Sequence, residues 1–286
     1  MSTRLLILGA SGMLGHTALR HFASQPGFEA HGSLRRASPQ LAAMAPQARL
    51  HVGVDVENTD QLTLLLAQVR PQVVVNCIGV VKQLAAADDP LVALPLNALL
   101  PHRLARLCQL AGARLIHVST DCVFTGSRGG YRESDAPDAL DLYGRSKLLG
   151  EVDAENAVTL RTSIIGPELG GGSQGLVGWF LAQHGRVRGF TQAVFSGLPT
   201  IELARVIQHH VLPRPELRGT WHVSTEPIDK HALLQLVKAA WGRDTEIEPD
   251  AKLVIDRSLD SSRFRTQTGY APAPWPQLVA EMKAFG

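Results

Sequence analysis

The sequence lacks long apolar runs, an excess of one charge sign and any abundance of cysteine. No stretch approaches the roughly 20 consecutive apolar residues that cross a bilayer, so we expect no membrane association. Lys and Arg total 28 against 26 for Asp and Glu, a net charge of +2. This balance argues against nucleic acid as a partner. The chain also starts without a charged leader and cleavage site, and we expect a cytoplasmic protein.

Cysteine and histidine show neither a disulfide nor a metal-binding pattern. Cys77, Cys108 and Cys122 are odd in number and lack C-x-x-C spacing. We therefore expect reduced thiols rather than disulfides or a thiolate zinc site. His209 and His210 are adjacent on a predicted helix, where neighbouring residues do not share a face. The sequence predicts no metal site.

The apolar residues are arranged in short runs that alternate with helix-length segments. The chain is 45% hydrophobic over 286 residues, enough for one large core or a core with a smaller lobe. Strand-like runs that are apolar throughout, separated by helices, predict an α/β fold with a doubly wound parallel sheet. The predicted strands are RLLILG, FEAHGSL, RLHVGVD, QVVVNCIG, RLIHVST and VTLRTS. Helices are predicted around TDQLTLLLAQV, from about Asn97 to Cys108, and from about Asp141.

Three glycines follow the first predicted strand in GASGMLG. Gly9 suits a tight turn, Gly12 lets the backbone approach a phosphate, and Gly15 lets the helix lie close to the strand. The spacing is G-x-x-G-x-x-G rather than G-x-G-x-x-G, and a plain turn is the alternative. The position between the first strand and the first helix favours dinucleotide binding. The predicted loop comprises Gly9, Ser11, Gly12, Met13, Leu14 and Gly15.

The end of the second strand indicates which dinucleotide is bound. Arg35 and Arg36 follow FEAHGSL, with no carboxylate at that strand end. Guanidinium groups suit a 2′-phosphate, whereas a site for NAD usually presents an acidic residue. NADPH is therefore favoured, with two solvated arginines as the alternative. Asp55, which we place at the end of the third strand, offers an acceptor for the adenine amino group.

Tyr143 and Lys147 are four residues apart in ALDLYGRSKLLGE. On a helix they share a face, where an ammonium can lower the phenol pKa from its usual value of ~10. Such a pair can pass a proton to a carbonyl oxygen. Ser119 and Thr120 end the strand RLIHVST, and a hydroxyl there can hold the same oxygen. A lone Y-x-x-x-K arises by chance, but the order of glycine loop, strand-end hydroxyl and Tyr-Lys helix favours function.

Together these motifs resemble the extended short-chain dehydrogenase/reductases, and among them the dTDP-4-dehydrorhamnose reductase family of sugar-nucleotide reductases. The likeness runs over nearly the whole chain. The segments that carry it are GASGMLG, NCIG, LNALLPHRLA, STDCVFTG, YRESDAPDALDLYGRSKLLGE, LRTSIIG and IDRSLDSSRFRTQTGYAPAPW.

The resemblance implies a reaction and a set of roles. It implies that Thr120, Tyr143 and Lys147 form a catalytic triad, with Tyr143 as general acid. NADPH would reduce the 4-keto group of a nucleotide-linked 4-keto-6-deoxyhexose, for surface polysaccharide synthesis. The glycines would hold the pyrophosphate, and Tyr143 and Lys147 would also contact the cofactor. The other implied cofactor contacts are Asp55 and Val56 at the adenine, Cys77, Ile78 and Gly79 at the adjoining ribose, and Ser119.

The expected organisation is a Rossmann domain over residues 1–165 and a smaller substrate-binding lobe over residues 166–286. The turn-rich stretch PELGGGSQG marks the change of pattern. Beyond it, FSGLPTIELARVI and GTWHVS read as a helix and a strand that return to the first domain. We therefore expect parts of about 190–225 to belong there. The oligomeric state stays open, with a homodimer as the commonest soluble assembly.

A departure from the family pattern, and the existence of relatives without turnover, leave alternatives open. Cys122 stands where these reductases carry an aromatic residue; it either lines the pocket or acts in an epimerase-reductase of GDP-fucose synthase type. A non-catalytic NADP-binding regulatory subunit is a further alternative, because some relatives keep the fold without turnover. The residue after Asp121 is not Glu, which argues against a 4,6-dehydratase. The nucleotide can be UDP, dTDP or GDP, and the sugar can be an N-acetylated one.

Overall fold

The computed structural model describes residues 2–82 and 85–286, which form two compact units. The first unit comprises the described part of residues 1–119 together with Leu140–Leu160 and Arg214–Thr220. The second comprises Thr120–Ala139, Arg161–Pro213 and Trp221–Gly286. The chain thus passes between the units several times. The expected organisation had a boundary near residue 165, with parts of about 190–225 returning to the first domain. The assignment of cofactor and substrate to separate domains stays a prediction.

A seven-stranded sheet with the order β11-β6-β5-β4-β1-β2-β3 organises the first unit. The ladders joining β3, β2, β1, β4 and β5 are parallel, which confirms the predicted doubly wound sheet. The strands of this sheet are β1 (Thr3–Leu8), β2 (Phe28–Leu34), β3 (Arg49–Val52), β4 (Val73–Asn76), β5 (Arg114–Thr120), β6 (Ala157–Thr162) and β11 (Gly219–His222). The strand GTWH is the edge strand β11, next to β6.

Short strand pairs build the second unit. β12 pairs with β9 antiparallel, and the pairs β14–β9, β13–β8 and β10–β7 are parallel. These strands are β7 (Ile164–Ile165), β8 (Arg186–Phe190), β9 (Ala193–Phe195), β10 (Leu198–Pro199), β12 (Ile228–Asp229), β13 (Glu246–Asp250) and β14 (Ile255–Asp256).

Helices connect the strands in both units. They are α1 (Met13–Ser24), α2 (Pro39–Met44), α3 (Thr59–Val69), α4 (Pro90–Ala93), α5 (Leu100–Leu110), α6 (Leu142–Leu149), α7 (Leu176–Leu181), α8 (Thr200–Val206), α9 (Lys230–Trp241), α10 (Ser262–Thr268) and α11 (Trp275–Phe285). Leu94–Leu99 and Ile207–Val211 are π-helical, and Ala85–Asp88 and Asp121–Val123 are 3₁₀-helical. In the part of the chain that the structure describes, no helix has both the length and the apolar character to span a membrane.

The helical segment before β5 begins earlier than predicted. We expected it from about Asn97, but helix starts at Pro90 and continues through the π-helical stretch into α5. The Asp89 carboxylate accepts the Leu91 N–H at 2.9 Å, and proline occupies the first helical position. An Asp-Pro start of this kind stabilises the N-terminus of a helix, because it satisfies one N–H and removes another.

The strand order reverses between β1 and β4, where β1 also pairs with β2. Loops leaving such neighbouring strands in opposite directions open a crevice at the carboxyl end of a parallel sheet. The glycine loop follows β1, and the segment containing Cys77, Ile78 and Gly79 follows β4. The fold therefore brings these two predicted cofactor segments to one switch point.

Each unit has its own apolar core. In the first, Leu6 of β1, Leu66 of α3 and Leu104 of α5 belong to one buried cluster. In the second, Phe180 of α7 and Trp275 of α11 belong to another. Two cores are consistent with the chain length, because one core rarely grows beyond about 250–300 residues.

Leu104 is fully buried, whereas Leu110 on the same helix is 86% exposed. We expect Leu104→Ala to lower the free energy of unfolding by about 2–5 kcal/mol, through lost apolar contact and a residual cavity. The matched change Leu110→Ala should stay within about 0.5 kcal/mol. Urea unfolding followed by circular dichroism measures both. Equal losses in the two variants would contradict the assigned packing of α5.

Candidate active site

The glycine loop is a closed turn at the start of α1. Gly9 has a positive φ of 77°, and its carbonyl oxygen accepts the Gly12 N–H at 3.0 Å. A Cβ on Gly15 would lie 2.1 Å from the Gly9 oxygen, and one on Gly9 would lie 2.8 Å from Ile78 Cγ1. No acidic residue occupies the first turn of α1, and Ser11 and Gly12 are exposed. The loop thus leaves backbone accessible at a helix N-terminus, where anions bind favourably.

The second strand supports this loop. Ser33 Oγ lies 3.3 Å from the Gly9 nitrogen and accepts its proton, and the Ser33 carbonyl accepts the Ala10 N–H at 3.0 Å. A Cβ on Gly32 would lie 2.8 Å from Ala10 Cβ. Sequence reasoning missed Gly32 and Ser33, although a glycine inside an apolar strand is a signal of close backbone approach.

The turn after β4 is held by a buried amide that sequence reasoning also missed. Asn97 Oδ1 accepts the Val80 N–H at 2.9 Å, and its Nδ2 donates to the Val80 carbonyl and to Ser146 Oγ, each at 3.2 Å. A Cβ on Gly79 would lie 3.1 Å from Asn97 Oδ1 and 3.8 Å from Lys147 Nζ. Asn97 therefore joins the β4 turn to α6. Its only sequence signal is its place in the family-like segment LNALLPHRLA.

Helix α6 carries Tyr143 and Lys147, as predicted. It begins after Asp141, whose Oδ1 accepts the Gly144 N–H at 2.8 Å. Tyr143 is half-buried, and Lys147 is 5% exposed with its Nζ donating to the Val118 carbonyl at 2.8 Å. Lys147 thereby lies beside the turn containing Gly79, so the first unit assembles the glycine loop, the β4 turn and the lysine.

Burial dominates the protonation of the groups around Lys147. It lowers the pKa of Lys147 to about 8, and the carboxylate of Glu151 opposes this shift. Burial raises the pKa of the Cys77 thiol to about 12, so this residue is a neutral thiol at physiological pH. The predicted cofactor residue Ser119 donates its hydroxyl proton to Glu151 Oε1 at 2.8 Å.

Of the residues predicted to contact the adenosine end of the cofactor, two lie at the expected strand end and one does not. Arg35 and Arg36 are exposed and directly follow β2, as predicted. Asp55 does not end a strand, because β3 stops at Val52. The Asp55 carboxylate instead accepts the Glu57 N–H at 3.0 Å within a turn. The position of Asp55 is set by this turn, and the periodicity of apolar residues does not reveal the turn. The neighbouring residue, Val56, is buried.

Thr120 begins a separate cluster in the second unit. Its Oγ1 accepts the Cys122 N–H at 3.1 Å and donates to Asp121 Oδ1 at 3.2 Å. Burial raises the pKa of the Asp121 carboxyl, although the charges of Arg257 and Lys230 oppose this. The only hydroxyl proton of Thr120 is therefore engaged by Asp121. Arg257 and Lys230 were missed in the sequence, where isolated cations carry no signal.

The adjacent histidines of the sequence lie in the second unit. His209 and His210 lie in the π-helical segment Ile207–Val211. Across residues 2–82 and 85–286, no group of three or more His, Cys, Asp or Glu side chains is arranged to hold a metal ion.

Solved structures share this architecture. The dTDP-4-dehydrorhamnose reductase of Bacillus anthracis str. Ames, in complex with NADP, aligns with a TM-score of 0.77 at 21% identity, covering 99% of each chain. At this identity the likeness establishes the fold.

The sequence relatives include a reductase and a subunit of a different enzyme. The dTDP-4-dehydrorhamnose reductase of Mycobacterium tuberculosis is 36% identical over 155 residues, 52% of this chain and 45% of the relative. Methionine adenosyltransferase 2 subunit beta of Bos taurus is 33% identical over 149 residues, 52% of this chain and 41% of the relative. In both cases the match spans less than half of the relative's own length.

The family model of the RmlD substrate binding domain matches residues 3–282, which include both units and every predicted site residue. That match agrees with the switch-point glycine loop and the Tyr-Lys helix found in the structure. The chain belongs to the RmlD substrate binding domain family, and the predicted resemblance to dTDP-4-dehydrorhamnose reductases is confirmed.

Proposed function

We propose that this chain is an NADPH-dependent reductase of the 4-keto group of a nucleotide-linked 4-keto-6-deoxyhexose, acting in the cytoplasm. One observation carries the proposal. Lys147 Nζ lies 3.8 Å from the position of a Cβ on Gly79, in the turn packed against Gly9. A Tyr-Lys helix is thus joined to a glycine loop suited to a dinucleotide, a combination that can supply both the proton and the hydride of a carbonyl reduction. A relative bearing the name dTDP-4-dehydrorhamnose reductase supports the substrate class.

The residues of the switch point fit a dinucleotide. A side chain at Gly9 or Gly15 would collide with neighbouring atoms, so the close packing of this loop needs glycine. The loop then leaves the N-terminus of α1 open to a pyrophosphate. Gly9, Gly12 and Gly15 would hold it, with the turn Cys77–Gly79 at the ribose, Asp55 and Val56 at the adenine, and Arg35 and Arg36 at a 2′-phosphate. When bound, NADPH supplies a hydride to the carbonyl carbon of the sugar.

Side chains of this protein would supply the proton that the carbonyl oxygen takes up. The Tyr143 hydroxyl would give its proton to the carbonyl oxygen as that oxygen gains negative charge. The Lys147 ammonium would favour the phenolate that remains. Thr120 would hold the same oxygen, and the substrate would compete with Asp121 for its hydroxyl proton. This assignment gives each member of the triad a distinct role in one proton transfer.

Two alternatives make different predictions. The likeness to methionine adenosyltransferase 2 subunit beta favours a regulatory subunit as second candidate. We assign Cys122 to the wall of the substrate pocket, because free cysteine is more often a small apolar residue than a catalyst. An epimerase-reductase would instead incorporate solvent deuterium into the sugar, and Cys122→Ser would abolish that exchange.

Tyr143→Phe tests the proposed chemistry. We expect the turnover number for ketosugar reduction to fall about 10²–10⁴-fold, because the general acid is removed. NADPH binding should change little. The control Tyr270→Phe removes a hydroxyl that bonds to Glu202 in the second unit and should keep turnover. The assay follows NADPH oxidation with UDP-, dTDP- and GDP-linked 4-keto-6-deoxyhexoses. Absence of oxidation by the wild-type chain with all three would favour the regulatory subunit.

Replacing Arg35 and Arg36 together by alanine tests the cofactor preference. Each charge-assisted bond contributes about 1.5–3 kcal/mol, so losing one from each arginine should raise KM for NADPH about 10²–10⁴-fold. KM for NADH should change less than about twofold, because NADH lacks the 2′-phosphate. Arg49→Ala, which removes an exposed arginine on β3, is the control. An equal rise in KM for both cofactors would contradict a phosphate-binding role.

Because Lys147 must be protonated, we expect kcat/KM to fall at high pH, which gives the pH profile a falling limb. The ammonium is the active form, and it loses its proton as pH rises through its pKa of about 8. We expect kcat/KM to decline about tenfold per pH unit above that value. Glu151→Gln removes the carboxylate that raises this pKa and retains an acceptor for Ser119. The limb should therefore move to lower pH, and an unmoved limb would assign it to another group.

A further inference from the structure

Two buried polar side chains face each other on adjacent strands of the first unit. Asn76 ends β4 and His117 lies in β5, and the two residues are partners in the parallel register. Both are 0% exposed. Burying such groups is costly unless they bond, and Asn76 Nδ2 lies 3.1 Å from His117 Nδ1. Neither residue is part of the proposed triad.

The direction of this bond follows from a backbone donor. Asn76 Oδ1 accepts the Ile78 N–H at 3.1 Å, and a backbone N–H can only donate. The Asn76 amide nitrogen must therefore face His117 and donate to its Nδ1. This requires a neutral imidazole with its proton on Nε2. The other tautomer would set two donors face to face.

The environment of His117 keeps it in this neutral state. Its Nε2 is buried and has no hydrogen-bond partner among the residues that the structure describes. Burial, together with the positive charge of Lys147 and the nearby His102, holds the pKa of His117 well below its usual value. A proton on Nδ1 would turn the acceptor into a donor and break the arrangement with Asn76. His117 is thus a permanent acceptor at neutral pH.

We propose that His117 is a positioning residue for the cofactor, acting through Asn76 to fix the turn Asn76–Gly79 against Gly9. The chain of contacts is short. His117 orients the Asn76 amide, the amide holds the Ile78 N–H, and Ile78 Cγ1 lies 2.8 Å from the Cβ position of Gly9. The role rests on the proposed function, since the turn matters only where a dinucleotide binds.

Two uncharged variants of His117 separate the effect of losing the acceptor for Asn76 from the effect of replacing the imidazole ring. In His117→Asn the side-chain oxygen can take the place of Nδ1, so the acceptor is retained. In His117→Gln the amide extends to the place of Nε2, and the acceptor for Asn76 is lost. We expect His117→Gln to raise the Kd for NADPH about five- to tenfold, and His117→Asn to stay within about twofold. The turnover number at saturating NADPH should be similar in both.

The measurement is a titration of NADPH fluorescence, with thermal unfolding to show that both variants fold. Equal NADPH affinity in His117→Gln and wild type would overturn the positioning role. A wild-type chain that binds no NADPH would instead overturn the proposed function, together with the cofactor role of this turn.

The wild-type protein itself reports the tautomer. In ¹⁵N-histidine-labelled wild-type protein, the His117 resonances should report an unprotonated Nδ1 and a protonated Nε2, unchanged from roughly pH 6 to 8. Asn76→Asp should move the proton to Nδ1, because a carboxylate accepts from both neighbours. A wild-type spectrum with the proton on Nδ1 would overturn the inference, even if His117→Gln failed to fold.

Discussion

The burial of the Lys147 ammonium is the constraint on which the rest of the candidate site depends. A charged group removed from water must be bonded, and here the Val118 carbonyl and the Glu151 carboxylate stabilise it. The carbonyl fixes Lys147 to the end of β5, beside the turn containing Gly79. Helix α6 can therefore present Tyr143 in only a narrow range of orientations.

The second constraint is the close packing of backbone segments around the glycine loop, which only glycine permits. The Gly9 carbonyl lies where a Cβ on Gly15 would be, and Asn97 Oδ1 lies 3.1 Å from the Cβ position of Gly79. Real Cβ atoms do not approach backbone oxygen to 2.1 Å, so α1 must move away from β1 if Gly15 is replaced. The glycines thus determine how closely the helix, the loop and the β4 turn pack, and this packing sets the shape of the predicted dinucleotide site.

The sequence predicted those features whose signals are local. Apolar strands, a glycine triplet after β1 and a tyrosine four residues before a lysine are each visible within a dozen residues. His117 and Asn97 gave no such signal, because their meaning depends on partners such as Asn76, 41 residues away across two strands. Asp55 was misplaced because the end of β3 is decided by turn hydrogen bonds rather than by apolar periodicity.

Strand β5 connects several of these distant partners. Three consecutive residues, His117, Val118 and Ser119, bond respectively to Asn76 on the neighbouring strand, to Lys147 and to Glu151. Because side chains alternate along a strand, a slip of one residue would turn the side chains of His117 and Ser119 to the opposite face and break their two contacts. The pairing of Asn76 with His117 opposes that slip, since a shift would separate these two buried side chains and break the bond between them. The bond that orients the β4 turn therefore also supports the register from which the lysine and its carboxylate are held.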